Sequence, residues 1–530
     1  MKKFLSLLVA VLFIAASASA LAAPDLYPAE GRYPIETDVS ITWWLGEGPR
    51  PARVFVTAEE SPFHVNLQTM TGVDIEWSWA GYDVEQSQEF NLMMTQDQLP
   101  DVIFGGLNLV SDAARFMEEG VFIDLTPYLE EYAPAYWQWL QSNPAYANAF
   151  KTDDGKYFGF GFFREDGGWN DSYQGPLVRQ DWLDECDLEA PVTISDWTNV
   201  LTVFNEKYGA TFSAPWSRFK IPGSGIPGAF GAYGTSDLTL FLDGEGKVQL
   251  AQAQPEWLNY MLQLNEWWAA GLIDQDLLAN QTDQETRSKA LAGSTGLAYS
   301  SMGQLSNWRM DADQAGEGAN WVGLQYPQGD DGARAMIFGG YGIGSTVCVI
   351  SGDADEAKIP VILQMLDYAY TDEGFLFWNF GVQGESWDYD DNGEPMYLPL
   401  VTEDPDGLND AIEKYAGTTW NGCCIQATKL LVLKNNPVSI DTNFLWYFPN
   451  EDIAAAWRLP PGISLTSDES ADNDFIRSSI TTLVAETCAK LITGEMTAAD
   501  WDEYVGQLES LGLAKLLEIN QAGYDRYLAR

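Results

Sequence analysis

Leu99-Pro100-Asp101-Val102-Ile103-Phe104-Gly105-Gly106 is a short apolar run opening into a glycine turn, and it completes a pattern begun upstream. Val39, Ile41, Trp43 and Leu45 alternate with polar Ser40 and Thr42, which predicts a strand ending at Trp43-Trp44-Leu45-Gly46. A helical stretch around 59–70 leads through Thr71-Gly72 into a second strand over 73–79, where Val73, Ile75, Trp77 and Trp79 share one face. Another helix, about 84–96, precedes the run at 99–106. Strands spaced by helices imply a mostly parallel sheet, whose ligands sit beyond the carboxyl ends of the strands. Trp43, Trp44, Phe104 and Gly105 lie at such ends. The expected fold class is α/β.

Further along, Ser111 caps a helix that stops at Gly120, and Asp153-Asp154-Gly155-Lys156 turns into an apolar strand over 157–163, read as a crossing to a second lobe. The stretch 195–208 is an amphipathic helix with Trp197, Leu201, Phe204 and Tyr208 on one stripe. Trp257, Met261, Leu264 and Trp268 stripe a helix from Pro255 to Gly271, so Trp197, Trp257 and Trp268 are read as core. A strand-like segment over 335–349, with Gly339-Gly340-Tyr341-Gly342, suits the return crossing. A helix over about 354–370 starts late at Pro360, the region 387–461 is loop-rich, and Thr497 with Asp500 forms a capping-box pattern in a helical C-terminal part.

The chain has 530 residues, more than one core sustains, since single cores stop growing near ~250–300 residues. Residues 1–23 read as a signal peptide: Lys2 and Lys3 precede an apolar stretch and small-residue cleavage sites. The rest is expected to be exported to the periplasm or cell exterior. With no cysteine near the cleavage site, no lipid anchor is expected. A formal charge of −49 argues against nucleic acid and anionic membranes as partners. Five cysteines without regular spacing make neither a disulfide framework nor a zinc motif. The single histidine, His64, leaves no two-histidine metal site and only one candidate for a Ser–His–Asp arrangement. The 21 tryptophans, 24 tyrosines and 25 phenylalanines suit stacking on the C–H faces of sugar rings.

Several stretches in order resemble the family 1 extracellular solute-binding proteins of carbohydrate ABC importers, in the long oligosaccharide-binding branch. They are Thr71-Gly72-Val73, Leu99–Ile103, Gly120-Val121-Phe122-Ile123-Asp124-Leu125, Arg179-Gln180-Asp181-Trp182-Leu183, Gly271-Leu272-Ile273-Asp274, Gly381-Val382-Gln383-Gly384-Glu385 and Gln521-Ala522-Gly523-Tyr524. The resemblance implies two periplasmic-binding-protein-like lobes, each a mixed, mainly parallel sheet flanked by helices, joined by a multi-strand hinge. It implies a monomer that closes on a carbohydrate in a cleft and hands it to ABC transporter permease subunits, without catalysis or cofactor. The lobes are expected at 24–150 with 340–385, and at 151–339 with 386–530. Some alginate-binding relatives carry a calcium loop where this chain reads Ala210-Thr211-Phe212-Ser213-Ala214-Pro215, so no calcium is carried over.

Candidate ligand-binding residues follow from strand ends and mixed aromatic–polar loops. At the first strand's end one of Trp43 and Trp44 is expected to be buried and the other to reach the ligand. Phe104 and Asn108 follow the Pro-Asp-Val-Ile strand. Arg164 and Trp169 belong to a loop with Asp166, Asn170 and Tyr173. Arg179 stands beside Asp181, which is read as structural. Tyr299 and Ser301 end a second-lobe strand, Tyr341 lies at the hinge, and Trp378, Glu385 and Trp387 flank the Gly-Val-Gln-Gly-Glu turn, with Trp420 and Asn421 as weaker candidates. The acidic clusters at 388–394 and 404–410 lack the EF-hand spacing, so no metal is expected. Two other function classes compete: a secreted glycoside hydrolase using a carboxylate pair, and a binder of a non-sugar solute on the same fold.

Overall fold

The structure, a computed structural model, describes residues 26–46, 55–79, 90, 92–95, 98–106, 113–165, 174–220, 225–279, 281–316, 318–334, 342–406, 408–417, 422–427, 442, 445–446 and 457–530. The expected signal peptide and the candidates Asn108, Trp169, Tyr341, Trp420 and Asn421 lie outside them. The described strands are β1 (Ser40–Leu45), β2 (Asp74–Trp79), β3 (Val102–Gly106), β4 (Phe160–Arg164), β5 (Gln174–Arg179), β6 (Thr211–Ser213), β7 (Leu240–Leu242), β8 (Val248–Leu250), β9 (Thr295–Ser301), β10 (Trp321–Gly323), β11 (Ile343–Ile350), β12 (Trp387–Tyr389), β13 (Pro395–Tyr397) and β14 (Ile425–Gln426).

The chain forms two compact units, Met1–Asp166 with Gly342–Asn435 and Gly167–Tyr341 with Asn436–Arg530. The first unit thus also takes 151–166 and 386–435, which the sequence reading had placed with the second lobe. Strand pairing explains this. β4 and β14 belong to the first unit's sheet, ordered β14-β4-β11-β3-β1-β2, in which β4 pairs antiparallel with β11 and parallel with β14.

In that sheet β1 pairs parallel with both β2 and β3, as the alternation in the sequence predicts. β11 then runs antiparallel to β3. Asp101 fastens the edge of this arrangement. Its carboxylate accepts the Thr42 N–H at 2.8 Å and the Lys358 Nζ at 3.0 Å, which ties β1 and the start of β3 to the segment before the helix Ile359–Asp367. The Pro-Asp-Val-Ile motif is therefore a structural joint. Ile41, Val102, Ile103, Phe104, Cys348 and Val349 are fully buried on the central strands. Around them pack the helices Pro62–Thr71, Pro134–Ser142, Ile359–Asp367 and Asp372–Phe380.

The second unit has a four-stranded sheet, β10-β5-β9-β6. Parallel pairing does not dominate here: β5 is antiparallel to both β9 and β10, and only β6–β9 is parallel. The helix Ile194–Tyr208 starts with a complete capping box between Thr193 and Asp196 and ends at Gly209 in the left-handed region. In the helix Pro255–Ala269 the buried tryptophans are Trp257 and Trp267, whereas Trp268 is only partly buried. Tertiary partners set that choice, because Trp267 stacks on Trp197 and its Nε1 donates to Thr198 Oγ1 at 2.9 Å. The C-terminal helices Ser467–Thr493, Trp501–Ser510 and Leu513–Leu528 complete this unit, and the first of them packs on Pro255–Ala269. The expected capping box at Thr497 and Asp500 is present.

All five cysteines are free, and four of them are buried. No described helix is long and apolar enough to cross a membrane.

Candidate functional site

In the first unit the carboxyl ends of β1 and β2 gather aromatic rings. Registry pairs Trp43 with Trp77, and the two indoles stack with centroids 5.0 Å apart. His64 meets Trp77 edge-on at 4.8 Å and Phe63 at 5.3 Å, and Phe63 meets Trp378 at 4.8 Å. A continuous string of rings thus runs from Trp43 to Trp378. The Nε1 groups of Trp43, Trp77 and Trp378 have no hydrogen-bond partner among the described residues. A buried donor left without a partner costs about 1–3 kcal/mol, so such groups are uncommon in folded proteins.

The expectation that Trp43 and Trp44 divide into one buried and one accessible ring is not met: they are 2% and 8% exposed. Strand alternation does send them to opposite faces, but both faces of this sheet are covered. The Trp44 ring folds over Gly46, where a Cβ would overlap it, and tilts against Phe90. Phe104 is fully buried. Trp378 is enclosed by Gly417 and Gly422, at either of which a Cβ would collide with its ring. Trp387 fills the β12–β13 hairpin against Phe380 and donates its Nε1 to the Gly381 carbonyl at 2.9 Å. Glu385 lies exposed on the preceding turn. Arg164 ends β4, where its Nε reaches Gln426 Oε1 on β14 at 3.3 Å.

His64 is buried, with Nδ1 2.9 Å from Ser61 Oγ. Burial pushes its imidazole down to about 3, so the ring is neutral near pH 7. A group so placed is poorly suited to shuttle protons between enzyme and solvent.

In the second unit the carboxyl end of β9 is polar where its body is apolar. Gln174, the first residue of β5, pairs with Ser301, the last of β9. Ser301 Oγ caps the helix Met302–Ala315 by accepting the Gln304 N–H at 3.3 Å. The Oε1 atoms of Gln174 and Gln304 and the Ser300 Oγ have no partner among the described residues. The Gln174 carbonyl accepts the Tyr326 hydroxyl, and Trp446 covers Gly175 with its Nε1 bonded to the Leu324 carbonyl. Tyr299 is buried and hydrogen-bonded to Tyr326. The structure therefore brings Tyr299 and Ser301 together and adds Gln174, Ser300 and Gln304. The Ser301-x-x-Gln304 spacing is the one signal in the sequence that marks them.

Arg179 stands apart from this end. It forks onto Asp181 at 2.8 and 2.5 Å and stacks on Trp182 at 4.3 Å. Asp181 is held below the usual carboxylate range: burial opposes this, but Arg179 and the Asn320 N–H outweigh it.

The acidic clusters are accounted for by protein partners. Lys414 Nζ lies 2.8 Å from Asp404 and 2.7 Å from Asp406, and Asp390 Oδ1 accepts two backbone N–H groups of its own turn. The segment after Gly209 forms β6, with Phe212 and Ser213 buried, and offers no oxygen cage for calcium. Among the described residues no cluster of His, Cys, Asp or Glu is suited to a metal ion.

No family model matches the chain. It is 22% identical to the fructooligosaccharide ABC transporter substrate-binding protein FusA of Streptococcus pneumoniae serotype 4 (strain ATCC BAA-334 / TIGR4), over 98% of this chain and 96% of that one. It is 24% identical to lipoprotein LipO of Bacillus subtilis (strain 168), over 63% of this chain and 65% of LipO. Among solved structures it resembles an alginate-binding protein determined without calcium ion, with TM-score 0.74 and 19% identity over 94% of this chain and 100% of that one. FusA in complex with kestose superposes with TM-score 0.73 and 19% identity, over 93% of this chain and 100% of that one. The fold is that of these solute-binding proteins.

Proposed function

We propose that this chain is the extracytoplasmic substrate-binding protein of an ABC importer, which captures a carbohydrate, an oligosaccharide, and delivers it to membrane permease subunits. The observation that carries this reading is the end-to-end likeness to FusA, whose name gives it as a fructooligosaccharide ABC transporter substrate-binding protein. Sharing the two-unit division and both sheets with sugar-binding neighbours supports it. So does the local chemistry. Indole N–H groups of the first unit and amide and hydroxyl groups of the second are the uncharged donors and acceptors that sugar hydroxyls pair with.

The protein acts by binding alone. Its only imidazole is neutral and enclosed, and the relatives are binding proteins. Binding stabilises the conformation that takes the ligand best, and that shift in population is what a permease reads. Incubation with end-labelled oligosaccharides, followed by recovery of the ligand from denatured protein, tests the reading. One equivalent recovered intact is the expected result. Shortened sugar accumulating beyond one equivalent of protein identifies a hydrolase instead.

A further inference from the structure

We propose that the carboxyl end of β9 is a hydroxyl-reading subsite, built from Gln174, Ser301 and Gln304, that accepts a neutral sugar ring and rejects a uronate. The inference rests on the carbohydrate reading above and adds the class of sugar.

Gln174 and Ser301 are directly opposed in an antiparallel ladder, so their side chains stand on the same face of the sheet. Ser301 Oγ caps the next helix through the Gln304 N–H, which places Gln304 on the other side of the same hydroxyl. The spacing Ser301-x-x-Gln304 suits a capping box, in which the Gln side chain would accept the Ser301 N–H. Only half of that box is formed. The Gln304 Oε1 has no partner among the described residues, and neither does the Gln174 Oε1. Gln174 is 7% exposed. Its backbone carbonyl is taken by Tyr326, so its side-chain carbonyl stands out as an acceptor that the fold itself does not use.

The charges on the same elements are spent elsewhere. Arg179, at the far end of β5, is forked onto Asp181. Arg309, on the helix that Ser301 caps, donates its Nε to the Trp321 carbonyl at 2.6 Å. Arg287 is paired with Asp311. The subsite therefore presents two amide carbonyls and a hydroxyl with no cation. A sugar hydroxyl donates to a carbonyl and accepts as well, so it satisfies such a group. A carboxylate only accepts, and it would arrive with an uncompensated charge against two acceptor oxygens. A helix N-terminus attracts anions in general. Here the Ser301 hydroxyl already takes the third N–H of that helix. Turning either amide over exchanges an acceptor for a donor and leaves the site uncharged.

The test is calorimetric titration of the full protein with oligosaccharides matched in length and linkage, one series neutral and one of the corresponding uronates. A neutral member binds and its uronate counterpart does not. Gln304→Ala, on a half-buried helix position, weakens the neutral sugar by roughly tenfold with an unchanged melting temperature. Gln174→Asn, which keeps the amide but shortens its reach, weakens binding in the same direction. Uronates bound as tightly as their neutral counterparts overturn the inference while leaving the carbohydrate reading intact. Neutral binding unaffected by both substitutions overturns the residue assignment. Failure of the folded protein to bind any sugar in either series contradicts the carbohydrate reading itself.

Discussion

Asp367 is a fully buried acid whose partners come from distant parts of the sequence. Arg32 reaches it at 2.7 Å and the Tyr136 N–H donates to it at 2.7 Å. Desolvation outweighs both and pushes its carboxyl up to about 6. An acid raised above its unfolded value contributes stability that is complete below about pH 4 and is lost as pH rises through 6. That contribution is about 3 kcal/mol. Asp367→Asn keeps a side chain able to accept from Arg32 and Tyr136 and cannot ionise. Denaturant titrations from pH 4 to 7 are expected to show wild-type stability falling relative to the variant by about that amount. Parallel pH profiles for the two proteins would contradict it. Removing the other partner acts differently: Arg32→Met leaves the ionised acid alone in the core and costs about 3–5 kcal/mol at pH 8, with a smaller loss at pH 5.

At the scale of elements, two glycines in one turn serve different ends. Gly120 has a φ of +75° with open space where a Cβ would stand, whereas a Cβ on Gly352 would overlap the carbonyl oxygen of Gly120. Gly352 donates its N–H to the Val121 carbonyl at 2.8 Å, which clamps the Gly120-Val121-Phe122 motif to the end of β11. Gly120→Ala is expected to cost about 1 kcal/mol from backbone conformation alone. Gly352→Ala should cost about 2–3 kcal/mol, because backbone must move. Equal losses in denaturant titration would refute the distinction.

The elements themselves were largely legible. Alternation located β1 and β2, and the glycine and capping signals located the helix ends at Gly209 and Thr497. What periodicity did not show was which partner each face meets. Trp267 rather than Trp268 is buried because Trp197 and Thr198 lie against it. Trp44 and Trp387, read as ligand platforms from loop and strand-end positions, are closed in by Gly46 and by the β12–β13 hairpin. Gln174 escaped notice because its register with Ser301 joins residues far apart in sequence.

For the whole molecule, the ordered motifs anticipated the solute-binding fold better than the composition did. Seventeen-fold excesses are not needed to explain the tryptophans: many fill the two cores, and Trp43, Trp77 and Trp378 keep indole N–H groups without partners among the described residues. The strong negative charge fits a partner that is neither nucleic acid nor an anionic membrane surface. A ligand that binds only the folded protein raises its apparent stability by mass action, about 2.7 kcal/mol at a hundredfold excess over Kd. The central claim is therefore tested most directly by thermal unfolding, with intrinsic tryptophan emission, against a broad panel of neutral oligosaccharides. The account predicts that at least one sugar raises the melting temperature in a saturable, one-to-one manner and shifts the emission. A protein that unfolds cooperatively and responds to no sugar, but is stabilised by a peptide or another non-sugar solute, would contradict it.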